Sequence, residues 1–75
     1  MKFSYIVQLE KGYKVSIISV VDLQVKVEKT YVYPEVEETE LRRKLDKDIV
    51  WLGKCKNDEE ARNIAIRYIR KGNDI

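Results

Sequence analysis

The sequence contains no histidine, one cysteine, one proline and three glycines among its 75 residues. Without histidine the chain lacks the commonest metal ligand and the usual general base near neutral pH. A lone thiol, Cys55, excludes an intrachain disulfide. It also fits a reducing, cytoplasmic setting, because small secreted domains are usually disulfide-rich. Long hydrophobic runs are missing as well. The longest, around Ile17-Ile18 and from Ile49 to Leu52, are far too short to span a bilayer. Met1 and Lys2 lead into an alternating segment rather than a signal-peptide core, so no membrane association is expected. There is no Gly-rich phosphate loop, and Asp22, Asp46 and Asp48 have no spacing that demands a metal. Cys55, flanked by Lys54 and Lys56, has no histidine to activate it and is read as an inward-facing residue. The chain is therefore expected to be non-enzymatic, with no cofactor.

What is present is enough apolar material to fold, at 44% of residues, in a chain long enough for one domain over residues 1–75. A chain this short buries only about 60% of its unfolded surface, and with neither disulfide nor metal it often leans on a partner subunit. Net charge is +2, from 15 basic and 13 acidic residues, so distribution says more than excess. Acids gather at Glu35, Glu37, Glu38 and Glu40, and bases follow at Arg42, Arg43 and Lys44. A second basic group closes the chain at Arg67, Arg70 and Lys71. Both orders suit helix dipoles.

Residues 3 to 9 alternate, with Phe3, Tyr5, Val7 and Leu9 pointing one way and Ser4, Ile6 and Gln8 the other. Lys11-Gly12 reads as a tight turn into a second strand from Tyr13 to Val20. Tyr13, Val15 and Ile17 are taken as its core face, with Ile18 and Val20 opposite, unless a bulge near Ser19 switches the face. From Asp22 to Tyr33 the pattern fits one long strand or a hairpin turning at Glu28-Lys29, ended by Pro34. Residues 35–47 fit either a short helix, with Thr39 as cap and Leu41 and Leu45 inward, or a charged connection. Ile49 to Leu52 reads as a compact strand closed by Gly53. The best-specified element is a helix over about 58–71. Asn57 and Glu60 form a capping-box pair, Ala61, Ile64, Ala65, Tyr68 and Ile69 follow helical spacing, and Gly72 fits the position just past the end. The fold class is thus α+β. A small antiparallel sheet of three to four strands packs against a C-terminal amphipathic helix, with room for a second short helix.

The stretch Leu52-Gly53-Lys54-Cys55-Lys56-Asn57-Asp58-Glu59-Glu60-Ala61 resembles the strand-to-helix corner of DNA-binding modules made of a three-stranded sheet and a helix. Such modules occur in certain plant transcription factors and in the arm-binding domains of phage-type integrases, where the sheet reads DNA. The arginine- and tryptophan-rich sheet of those modules is absent here. Phe3 to Val15 is similar to the start of HicB-like antitoxins, with a strand, a Gly-Tyr turn and a strand, although their Pro-Asp-Leu-Pro-Gly-Cys stretch does not follow Ile17. Neither likeness is specific enough to assign a family.

Two functions follow as expectations. The first is an accessory or regulatory protein acting through protein–protein contacts and self-associating as a homodimer. One helix does not cover both faces of the sheet, which leaves Ile6, Ile18, Val20 and Val32 as candidate contact residues. The alternative is a nucleic-acid-binding module that uses the sheet face and the basic residues Lys26, Arg42, Arg43, Lys44, Arg67, Arg70 and Lys71.

Overall fold

The alternation of Phe3, Tyr5 and Val7 with Ser4 and Ile6 builds β1 (Lys2–Gln8), an inner strand buried on both faces. The computed structural model describes residues 1–35 and 38–73. Leu9 N–H donates to the Gly12 carbonyl at 3.0 Å, closing a loop that turns the chain into β2 (Tyr13–Val21). Gly12 lies at φ 85°, and a Cβ there would run into the Tyr33 carbonyl oxygen, so only glycine fits. A second hairpin turns on Asp22 and Leu23 alone and leads into β3 (Gln24–Tyr33), which settles residues 24–33 as one long strand.

The loop length decides which residues share a face. Gln8 pairs with Tyr13, so Phe3 lies opposite Ile18 and Tyr5 opposite Ser16. Ile18 and Val20 therefore join Phe3, Tyr5 and Val7 in one core, while Val15 and Ile17 share the other face with Ile6. This reverses the expected assignment of β2. The cause is parity alone, since one residue more or less in the loop would flip every side chain of the strand. The bulge is not at Ser19. It lies in β3, where Ile17 pairs with Lys29 and Ile18 with Val27, leaving Glu28 as the extra residue.

After β3 the chain forms α1 (Glu38–Lys44) and then β4 (Ile49–Cys55), giving the sheet order β3-β2-β1-β4. Val36 and Glu37, part of the 35–47 stretch, lie outside the described residues. β4 runs parallel to β1, so the sheet is mixed rather than wholly antiparallel. A parallel neighbour demands a crossover, and α1 is the helix of that crossover, carried across the face that holds Val15 and Ile17. Leu41 and Leu45 are half-buried there, and Thr39 lies within the helix rather than capping it. Gly53 does not end β4. The strand bulges at Leu52, passes through Gly53 at φ 78° and continues to Cys55.

The C-terminal helix, α2 (Asp58–Asn73), forms as its sequence dictates and packs on β1 and β4 from the opposite face. Glu60 N–H donates to Asn57 Oδ1 at 2.8 Å, and Glu60 Oε1 accepts from Lys56 N–H at 3.4 Å, completing a capping box shifted by one residue. Ala61 and Ala65 are the fully buried residues of this helix. Their small side chains bring the backbone close to the sheet, which pushes the longer residues to the flanks. Ile64 and Ile69 are half-buried, and Tyr68 stands at the rim, its ring edge-on to Phe3 at 5.7 Å. Tyr68 is thus more exposed than helical periodicity alone implies. The helix also continues through Gly72 instead of stopping before it.

Candidate interaction surface

α2 covers β1 and β4, α1 crosses the opposite face, and β3 is left at the sheet edge with one side paired among the described residues. β3 spans ten residues, and only Val25 and Tyr33 are as much as half-buried. Val25, Val27, Thr30 and Val32 face the α2 side, as their pairing with Val20, Ile18, Ser16 and Lys14 requires. Lys26, Glu28, Lys29, Tyr31 and Tyr33 face the α1 side. The bulge makes this division. Simple alternation would have put Val25, Val27, Tyr31 and Tyr33 together. The break in alternation at Glu28-Lys29 is the sequence signal for it.

On the α2 side, Val27 is 48% exposed and Val32 64% exposed, with Leu23 at the hairpin tip. A strand edge with free N–H and C=O groups beside exposed valines is a template for further pairing. On the α1 side, Ser19 Oγ donates to Glu28 Oε1 at 2.8 Å, which holds the carboxylate in place and lowers its pKa. The Tyr31 and Tyr33 rings lie 6.1 Å apart and, with Leu41 and Leu45, line a groove between β3 and α1. At the far end of α1, Lys54 Nζ stands 3.6 Å from Glu38 and 5.5 Å from the Tyr13 ring centroid.

Of the expected self-association residues, Ile6, Ile18 and Val20 are buried within the chain, and Ile6 lies on the opposite face from the other two. They form no shared exposed patch. Val32 alone is at the surface. The expected nucleic-acid residues are all exposed, but they divide between two sides. Lys26 and the α1 bases Arg42, Arg43 and Lys44 belong to one face, and Arg67, Arg70 and Lys71 of α2 to the other. They do not form one stripe.

One polar cluster and one buried thiol serve the fold. Asp58, in the first turn of α2, accepts from Tyr5 Oη and from Lys14 Nζ, each at 2.6 Å. The Lys14 and Tyr5 bonds together hold Asp58 below the usual carboxylate range. Burial, and then the bond to Asp58, push Tyr5 up to about 12. Cys55 is buried at the end of β4, and burial, with Glu60 nearby, pushes its thiol up and away from the reactive thiolate. Among the described residues no group of His, Cys, Asp and Glu is placed to hold a metal, and no helix is long and apolar enough to cross a membrane. No family model, curated protein or solved structure matches this chain.

Proposed function

We propose that the chain is a non-enzymatic accessory or regulatory protein of a reducing compartment such as the cytoplasm, working through protein–protein contacts and self-associating. The observation that carries this reading is the edge of β3, ten residues long, unpaired on its outer side among the described residues and flanked by exposed valines. The buried, pKa-raised Cys55 supports a structural thiol over a nucleophile. Sedimentation equilibrium over a hundredfold concentration range tests the proposal. The expected result is a mass rising from 8.9 kDa toward twice that value. A single 8.9 kDa species at high micromolar concentration overturns it. Salt-dependent binding of that monomer to duplex or single-stranded nucleic acid would favour the alternative reading instead.

A further inference from the structure

We infer that two copies join their β3 strands antiparallel about a two-fold axis passing between Glu28 and Lys29, so that Glu28 of each copy faces Lys29 of the other. This rests on the self-association proposed above and specifies how it is made.

The bulge selects the partner. Side chains on the α2 side of β3 sit at Val25 and Val27 before the bulge and at Thr30 and Val32 after it, an even spacing interrupted by one extra residue. A regular strand laid along this edge keeps its side-chain phase on only one side of Glu28. A reversed copy of β3 changes phase at the same point, and so matches along its whole length. With the axis between Glu28 and Lys29, Val25 lies opposite Val32 and Val27 opposite Thr30, all on the α2 side. On the α1 side, Lys26 lies opposite Tyr31, a cation beside an aromatic ring.

Charge gives the same register. Glu28 and Lys29 both face the α1 side, and Glu28 is already oriented by Ser19 at 2.8 Å. The symmetric axis makes two Glu–Lys pairs. An axis one half-step away in either direction sets Glu28 against Glu28, or Lys29 against Lys29. Opposite charges across a strand pair are favourable and like charges unfavourable. The contact is isologous, as a closed dimer requires.

Charge exchange tests the register, read as the dimer dissociation constant at low salt. Glu28→Lys alone and Lys29→Glu alone each place like charges on both sides of the axis and are expected to weaken the dimer about fivefold or more. The double exchange Glu28→Lys with Lys29→Glu restores opposite charges and is expected to return to within about twofold of the unmodified chain. Cysteine pairing provides a second readout on exposed positions. Val27→Cys mixed with Thr30→Cys is expected to form a mixed disulfide on mild oxidation, because directly opposed strand residues lie within disulfide reach. Neither variant alone is expected to do so. Cross-linking of Val27→Cys with itself, or a dimer that yields no mixed disulfide and ignores both single exchanges, overturns this register and leaves self-association standing. A chain that stays monomeric overturns both.

Discussion

Leu23 occupies the left-handed region at φ 63°, next to Asp22 at φ 53°, in the two-residue turn between β2 and β3. Such a turn needs positive φ at both central positions and favours Asn-Gly or Asp-Gly. A bulky residue there carries a cost of about 1–2 kcal/mol from its Cβ. Leu23→Gly is therefore expected to raise the denaturation free energy by about 0.5–1 kcal/mol, measured in urea. A decrease would show that Leu23, which borders a hollow with Met1, Val20 and Ile69, contributes more by contact than its backbone costs. Ser4 is another residue whose setting is specific. It is buried on the α1 face, and its Oγ has no partner among the described residues. Ser4→Ala is expected to leave stability unchanged or raise it by up to about 1 kcal/mol, since no bond is lost and a desolvated hydroxyl is removed.

At the scale of the element, α2 is held by a seam of alanines and by a polar anchor at its first turn. Ala65→Leu is expected to cost about 1–3 kcal/mol or more, because the helix has no room to accept the added volume without moving off the sheet. The anchor is legible in the pH dependence of unfolding. Asp58 has a depressed folded pKa, so its contribution is complete above the ordinary carboxylate value of about 4 and is lost as pH falls through the depressed value. Lys14→Met removes the largest cause of that depression and is expected to flatten the acid limb of stability against pH while lowering stability at neutrality. Tyr5 behaves in the opposite sense. Its pKa is raised from 10.0 to about 12, so stability is complete below 10 and declines as pH rises through this window. Tyr5→Phe should abolish that alkaline decline, and its persistence would show that another group causes it.

At the scale of the molecule, one sheet carries two unequal cores. The α2 core is continuous, from Phe3, Tyr5, Ile18 and Val20 to Ala61 and Ala65. The α1 side is thinner, with Ile6 and Val15 buried but Leu41 and Leu45 only half-covered. Ile6→Ala is expected to cost about 2–5 kcal/mol as a full core truncation. Leu41→Ala should cost less, under about 2 kcal/mol, because part of its surface already meets water. Equal costs in chemical denaturation would mean that α1 seals its face more tightly than it does in this arrangement. If β3 pairs between copies, unfolding is coupled to dissociation, and the melting temperature should rise with protein concentration. A melting temperature independent of concentration would count against a dimer at those concentrations.

Local chemistry alone determined several features of this protein. The α2 helix follows from Asn57, the acidic first turn and the spacing of Ala61, Ile64, Ala65 and Ile69, all interactions within a few residues along the chain. The first hairpin follows from Gly12, and the α+β class from the switch between the two periodicities. The long-range decisions came only with the tertiary structure. A four-residue loop set the parity that put Ile18 and Val20, rather than Val15 and Ile17, under α2. An extra residue at Glu28 moved Tyr31 and Tyr33 to the opposite face from Val25 and Val27. The parallel placement of β4 beside β1 joined residues more than forty positions apart and left β3 as the longer of the sheet's two edge strands. Strand pairing has a period of two, so one residue of slip exchanges every inside for an outside, and no local propensity records which slip the whole sheet will choose. The charges of Glu28 and Lys29 stand plainly in the sequence, but their position at the middle of an unpaired edge exists only once β2 has taken its side of β3.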